Sequence, residues 1–131
     1  MPKGSQQLTN ARKKEIIDAC ASLYKTMSFK EITMKDIATA TSFTRTSIYN
    51  YFQTKEEIFL ALLQREYELW NEKLRQLRAK HENLSATEFA DKLARSLEER
   101  ENLLKLMSMN HYDMEENSRF ERLVEFKSVY G

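Results

Sequence analysis

The chain has 131 residues, of which 41% are hydrophobic and 31% charged, so it can bury one moderate core or one small domain docked on part of another. Its two glycines stand at positions 4 and 131 and its single proline at position 2. Since neither glycine nor proline occurs between residues 5 and 130, the composition predicts an all-α protein. The only cysteine, Cys20, excludes an intramolecular disulfide and fits a reducing cytoplasm. No apolar run is long enough to cross a bilayer.

The net charge of +1 is unevenly distributed along the chain. Residues 1–55 contain nine Lys and Arg residues against four acidic residues, whereas residues 56–131 contain twelve basic and sixteen acidic residues. A basic N-terminal part joined to an acidic remainder is typical of a protein that meets phosphate at one end. Ordinary surface charge is the alternative explanation.

The first helix is predicted from about residue 10 to residue 26, after a loose arm over residues 1–8. Apolar residues recur at helical spacing and predict its inner face: Ile16, Ile17, Cys20, Leu23, Tyr24 and Met27. We therefore expect Cys20 to be a small core residue and not a reactive thiol.

Two short helical patterns follow between residues 32 and 57, separated by a break at residues 41–43. Thr33 is the expected N-cap of the second helix and Thr44 that of the third. Such a corner usually has glycine where the backbone needs a positive φ, and Ser42 occupies that position here. A left-handed Ser42 would cost up to about 1 kcal/mol.

The third helix has two unlike faces. Helical spacing places four polar, aromatic or basic side chains on one side: Arg45, Thr46, Tyr49 and Asn50. Ile48 and Phe52, also four apart, point the opposite way. A short helix with an apolar inner side and a hydrogen-bonding outer side is what reading a DNA major groove requires.

A long helix is predicted from Thr54 to about residue 79. It begins with a capping box formed by Thr54 and Glu57. Its apolar residues recur three and four apart: Ile58, Phe59, Leu62, Leu63, Tyr67, Trp70, Leu74 and Leu77. Its helical part of roughly 24 residues spans about 36 Å at 1.5 Å per residue, so we expect it to continue into a second domain.

Three shorter helical patterns complete the chain. Capping boxes beginning at Ser85 and Ser118 predict two of them. Leu and Met residues between positions 103 and 109 predict the third, which ends near His111 and Tyr112. The sequence contains no internal repeat and no low-complexity segment.

Residues 29 to 57 resemble the N-terminal domain of TetR/AcrR-type transcriptional regulators. The similarity is carried by FKEITMKDIA, by the turn and by TRTSIYNYFQTKEE, whose most specific part is IYxYFxxKE. It extends over roughly residues 10 to 65, about half of the chain. Ser28, Ser42 and Thr46 stand where glycine is usual in the family.

The resemblance implies a helix-turn-helix DNA-binding domain of three helices over residues 1–53, with the motif at about residues 33–52. It implies a connecting helix and a partial helical effector and dimerisation domain over residues 54–131. Family members generally continue for several more helices, including those that pair two subunits. The chain is therefore expected to be either a shortened form or an unusually small member.

The resemblance also implies which residues contact DNA. Threonines at the starts of the second and third helices would bind phosphates, since helix N-termini favour anions. Arg45 and Asn50 would contact guanine and adenine edges. The full predicted set is Thr33, Thr44, Arg45, Thr46, Ser47, Tyr49, Asn50, Tyr51 and Lys55. Packing within the protein is the open alternative for Ser47 and Tyr51.

The function implied is that of a sequence-specific transcriptional regulator, a repressor released by a small molecule. The expected partners are double-stranded DNA with a palindromic operator, a second copy in a homodimer and a small apolar or aromatic effector, with no membrane, metal or cofactor. The expected location is cytoplasmic. Candidate effector contacts, for which core packing is the alternative, are Tyr67, Trp70, Phe89, Met107, Asn110, His111 and Tyr112.

Two other classes of function compete with this one. An enzyme is disfavoured, because His81, His111 and the single cysteine form no metal-binding spacing or nucleophile–base set, and there is no Gly-rich phosphate loop. A helical protein-interaction module that hardly binds DNA is the other, if the pairing helices are missing. A monomer would bind an inverted repeat poorly, because a dimer spaces its DNA-reading helices about 34–36 Å apart.

Overall fold

The computed structural model describes residues 3–80 and 83–108, together with residues 118, 119 and 124. Every regular element in these residues is a helix, which confirms the predicted all-α class. The helices are α1 Lys3–Tyr24, α2 Met34–Thr39, α3 Arg45–Ile48, α4 Lys55–Lys80, α5 Ala86–Glu98 and α6 Glu101–Met107. The helix predicted after Ser118 and the end predicted near His111 and Tyr112 fall outside this description.

Helix α1 begins earlier than the sequence pattern predicts. The expected loose arm is wrong for residues 3–8, which are helical. Apart from Gly4, this stretch has no breaker, and the Gln6 side-chain amide donates to Asn10 Oδ1 one turn later at 3.3 Å. The predicted inner face is confirmed, since its residues are buried or packed against the core. Burial raises the pKa of the Cys20 thiol to about 12, as expected for a core residue.

Aromatic side chains centre the core between α1 and α4. The Phe59 ring of α4 meets the ring of Tyr24 edge-on at 5.0 Å and that of Phe29 at 4.8 Å. Edge-to-face pairs at such distances stabilise a core beyond simple area burial. Ile37 of α2 and Ile48 of α3 are both fully buried and belong to the same core.

Helix α4 confirms the long predicted helix. Its 26 residues span about 39 Å at 1.5 Å per residue. Thr54 caps it, accepting a hydrogen bond from the Glu57 N–H at 3.2 Å. The first half of α4 packs on α1, and further along the helix Trp70 Nε1 donates to Ser96 Oγ of α5 at 3.1 Å.

The C-terminal half shares the core of the N-terminal half. Leu103 and Leu106 of α6 are fully buried in the same apolar cluster as the inner residues of α1 and α4. Helices α5 and α6 pack on α4 and on each other. Among the described residues, no helix combines the length and apolar character needed to span a membrane.

Candidate nucleic-acid interface

The N-termini of α2 and α3 are capped as predicted. Thr33 Oγ1 accepts from the Asp36 N–H at 3.1 Å, and the Asp36 carboxylate accepts from the Thr33 N–H at 3.0 Å. This reciprocal pair is a capping box that the sequence analysis did not assign. Thr44 Oγ1 accepts from the Ser47 N–H at 3.1 Å. Both caps fix where the two helices begin and leave their first turns at the surface.

The turn between α2 and α3 is held from outside by α1. The Glu15 carboxylate accepts the Ser42 backbone N–H at 2.7 Å and the Ser42 hydroxyl at 2.9 Å. These hydrogen bonds lower the pKa of the Glu15 carboxyl below its ordinary value. No described residue other than glycine has a positive φ, so Ser42 is not left-handed and the cost of about 1 kcal/mol that such a conformation would carry does not arise. Glu15 anchors the turn where the family usually has glycine.

Phe43 fills the inner side of the corner. Its ring is half-buried against the core, and the Arg12 guanidinium lies 5.3 Å from the ring centre. The Phe43 N–H donates to Thr41 Oγ1 at 3.1 Å. Side chains of α1 thus contact two adjacent residues of the turn, Ser42 and Phe43.

Helical hydrogen bonding continues for one turn beyond α3. The N–H groups of Tyr51 and Phe52 donate to the Ile48 carbonyl at 2.9 and 3.0 Å, so residues 45–52 act as one unit, here called the recognition helix. Ile48 and Phe52 are buried, being 0% and 1% exposed. The opposite side faces solvent, and its exposed residues are Arg45, Thr46, Tyr49 and Asn50. The predicted division into two faces is therefore present.

Ser47 and Tyr51 lie at the margin of the exposed face. Both are half-buried. The Tyr51 ring lies 6.5 Å from that of Phe43, centre to centre, so it packs on the corner at least in part. The sequence left internal packing open as an alternative for both residues, and their half-buried positions agree with it.

Lys55 is engaged inside the protein. Its ammonium donates to the Phe29 carbonyl at 2.6 Å and to the Ile32 carbonyl at 3.0 Å, and it lies 4.3 Å from the centre of the Phe29 ring. Two carbonyls and a ring face satisfy an ammonium without any phosphate. Lys55 therefore stabilises the segment that connects α1 and α2. This geometry does not support the predicted phosphate contact.

An ion pair that the sequence pattern did not predict joins the first turn of α4 to the C-terminal half. The Glu57 side chain is fully buried and its carboxylate accepts Arg119 Nε at 2.9 Å. Burial raises the pKa of the Glu57 carboxyl, but hydrogen bonds from Arg119 and Gln53 outweigh this effect and hold the pKa below its ordinary value. No local spacing signals a pair separated by 62 positions.

A second polar connection between the halves lies at the end of α1. Lys105 Nζ donates to the carbonyls of Tyr24 and Met27 at 2.5 and 2.9 Å, and Asn102 Nδ2 donates to the Ala21 carbonyl at 3.2 Å. The last carbonyls of a helix lack partners within it, and cations are favoured there. Helix α6 therefore supplies the C-terminal cap of α1.

The candidate effector residues are dispersed over the C-terminal half. Tyr67 is buried in the core, the Trp70 N–H is bonded to α5, Phe89 is half-buried, and Met107 is 43% exposed. None of these four lines the polar groove of about 310 Å³ between α4 and α5. Asn110, His111 and Tyr112 lie outside the described residues, so an effector pocket remains a prediction. Among the described residues, no group of His, Cys, Asp and Glu has an arrangement that could hold a metal ion.

Comparisons with known proteins agree with the geometry in both halves. Residues 16–62 match the family model of bacterial regulatory proteins of the tetR family. Residues 64–130, just over half of the chain, match a tetracyclin repressor-like C-terminal domain. The chain belongs to the tetR family. TetR-family members are regulators and not enzymes, so the predicted absence of catalysis is confirmed by family membership.

One curated relative matches part of the chain. It is an uncharacterized HTH-type transcriptional regulator, YfiR, of Bacillus subtilis (strain 168), 32% identical over 63 residues. The match covers 48% of this TetR-family chain and 31% of the relative, so the matched stretch is about a third of the relative's length.

Proposed function

We propose that this protein is a DNA-binding transcriptional regulator whose recognition helix reads the major groove. One observation carries the proposal. Arg45, Tyr49 and Asn50 are exposed together on one side of a short helix whose other side, through Ile48 and Phe52, is buried. A helix fixed to its own core in this way presents side chains that can reach base edges. Membership of the tetR family supports the same function.

The contacts divide into those that position the protein and those that read sequence. The starts of α2 and α3 are exposed, and their N–H groups and capping hydroxyls suit phosphate oxygens. Arg45 suits guanine O6 and N7, and Asn50 suits adenine N6 and N7. The proposed DNA-contacting set is Thr33, Thr44, Arg45, Thr46, Ser47, Tyr49, Asn50 and Tyr51. Ser47 and Tyr51, half-buried at the margin, contribute least.

The mode of regulation proposed is repression relieved by a small molecule. The match of residues 64–130 to a tetracyclin repressor-like C-terminal domain supports it. We propose that two copies form a homodimer and bind a palindromic operator. A two-fold dimer reads two half-sites, one in each of two successive major grooves. The effector is expected to be small and apolar or aromatic.

Selection of random duplexes by the purified protein, followed by sequencing, tests this function. The expected product is an inverted repeat with half-site centres about ten base pairs apart, or a multiple of that spacing. The variant Arg45→Ala/Asn50→Ala, which removes both base-reading side chains, serves as the matched control and should not enrich the same repeat. Absence of any enriched sequence with the wild-type protein would contradict the proposal.

A further inference from the structure

The recognition helix ends at a connection that the C-terminal half holds. The Glu57 carboxylate, buried in the first turn of α4, accepts the Arg119 Nε at 2.9 and 3.1 Å and the Arg119 backbone N–H at 2.7 Å. It also accepts the Gln53 N–H at 2.9 Å. The Arg119 Nη2 donates to the Tyr51 carbonyl at 3.2 Å. The Arg119 guanidinium therefore contacts both the last turn of the recognition helix, at Tyr51, and the first turn of α4, at Glu57.

Each of these groups depends on the others. A carboxylate without solvent exposure requires a paired charge and hydrogen bonds, and Arg119 supplies both. The Tyr51 carbonyl belongs to the last turn of the recognition helix, directly after Tyr49 and Asn50. Movement of Arg119 would consequently leave the Glu57 carboxylate without its paired charge, although the Gln53 N–H would still donate to it, and would break the hydrogen bond to the Tyr51 carbonyl at the end of the recognition helix.

Arg119 belongs to the other half of the chain. It lies within residues 64–130, which match the C-terminal domain model, and outside residues 16–62, which match the N-terminal one. The DNA-facing unit is thus completed by a residue from the half that the family assigns to another domain. A contact of this kind links the state of one half to the geometry of the other.

We propose that Arg119 is a positioning residue that holds the recognition helix in its DNA-reading geometry, so that the C-terminal half sets operator affinity through this contact with Glu57 and Tyr51. The proposal rests on the proposed DNA-binding function and adds a route for its control. A ligand or partner that withdraws Arg119 from Glu57 would lower operator affinity without touching DNA.

The ion pair between Arg100 and Glu66 provides a matched control. It also joins α4 to a later part of the chain through an arginine and a largely buried carboxylate, at 3.9 Å, but both residues lie within the C-terminal half. Glu66 lies nine positions further along α4 than Glu57, more than two helical turns from the recognition helix. Arg100→Gln therefore removes a longer arginine–carboxylate pair from a place that should not position the DNA-facing surface.

The experiment compares wild type, Arg119→Gln, Arg119→Lys and Arg100→Gln in titrations against the selected operator and against a scrambled duplex. Circular dichroism establishes the folded fraction at the working temperature. We expect Arg119→Gln to weaken operator binding about tenfold, in line with a lost hydrogen-bonded charge, and scrambled-duplex binding much less. Arg119→Lys keeps the charge beside Glu57 but lacks the fork needed for Tyr51, so it should restore folding stability more fully than operator affinity. Arg100→Gln should stay within about twofold of wild type for both duplexes.

Two results would overturn the proposal. One is an Arg119→Gln variant whose operator affinity stays within about twofold of wild type. The other is an equal loss for operator and scrambled DNA that follows the unfolded fraction, because a merely structural role predicts it.

Amide chemical shifts separate this test from that of the proposed function. If the wild-type protein selects no operator, DNA binding fails, but the Arg119→Gln variant should still shift the amide signals of residues 49–51 when free in solution. Shifts confined to residue 119, Glu57 and Tyr51, which contacts Arg119 directly, without shifts at Tyr49 and Asn50, would reject positioning by Arg119 in that case.

Discussion

Two sets of polar side chains in this protein contrast with each other. On the outer side of the recognition helix, Arg45, Tyr49 and Asn50 face solvent. Beneath and beside that helix, Lys55 and Glu57 are bonded to distant parts of the chain. The first set contributes little to folding, since its groups are solvated in the folded and unfolded states alike. The second set holds elements together, so loss of the Lys55 contacts should lower stability, and loss of the Glu57 pair should lower both stability and operator affinity.

The comparison shows that charge and exposure have to be considered together. Lys55 and Arg45 are both basic and both belong to the predicted DNA-contacting set. Lys55 has two carbonyls and an aromatic ring around its ammonium, whereas Arg45 is exposed. A cation already satisfied by the protein has little to gain from a phosphate. Of these two residues, only Arg45 is expected to contact DNA.

The largest effect that separates the two sets is expected for Lys55→Met. The change leaves two carbonyls without their charged donor, so the free energy of unfolding should fall by about 2–3 kcal/mol. The dependence of operator binding on salt should not change, because no phosphate contact is lost. Urea denaturation and titrations at several salt concentrations measure both quantities. Lys73→Met, on the exposed side of α4, is the control. If Lys55→Met reduced the salt slope by about one, Lys55 would have to be assigned to a phosphate contact after all.

Arg45→Ala should have the opposite profile. Loss of a bidentate contact to guanine would weaken operator binding by about 2 kcal/mol. The free energy of unfolding should change by less than about 0.5 kcal/mol, since the side chain is exposed. A mobility-shift titration and a denaturation curve on the same preparation provide the comparison. A loss of stability larger than the loss of binding would place Arg45 with the structural set.

Tyr49→Ala should weaken operator binding by about 1–2 kcal/mol, the value of a hydrogen bond to a charged group. Tyr49 is 37% exposed, so folding stability should change little. Tyr49→Phe, which keeps the ring, distinguishes the hydroxyl from the ring as the contacting group. Unchanged affinity of the alanine variant in a mobility-shift titration would remove Tyr49 from the proposed set.

The smallest effect is expected at the turn, where Glu15 binds Ser42. The pKa of the Glu15 carboxyl is lowered in the folded state from an ordinary value of 4.5, so the contact stabilises the fold when the carboxyl is ionised. Its contribution should be complete well above pH 4.5 and disappear as the pH falls through the lowered pKa of the folded protein. Thermal unfolding of wild type and Glu15→Gln across this range measures it. A difference in melting temperature between wild type and Glu15→Gln that widens toward acid pH would contradict this assignment.

Local features of this fold are predictable from sequence because their causes are local. The caps at Thr33, Thr44 and Thr54 follow from residue type and spacing, as does the burial of Ile48 opposite Asn50. Helical periodicity likewise predicts α4 over nearly its whole length.

Contacts between distant segments carry no such signal. Ser42 lies 27 positions from Glu15, and Lys105 lies 81 positions from Tyr24. The sequence pattern therefore predicted a phosphate contact for Lys55 and no partner for Ser42, although each is hydrogen-bonded to a distant part of the chain. A polar residue near a predicted site can serve the fold or the ligand, and only its three-dimensional neighbours decide between them.

The central claim is that the exposed side of the recognition helix reads bases, and duplex selection with Asn50→Ala tests it most directly. Wild type and variant are used in parallel on the same random library, and the enriched sequences are compared position by position. We expect the variant to retain the spacing of the repeat and to lose preference at one symmetric pair of positions, where wild type selects adenine. Identical preferences for both proteins would contradict the claim.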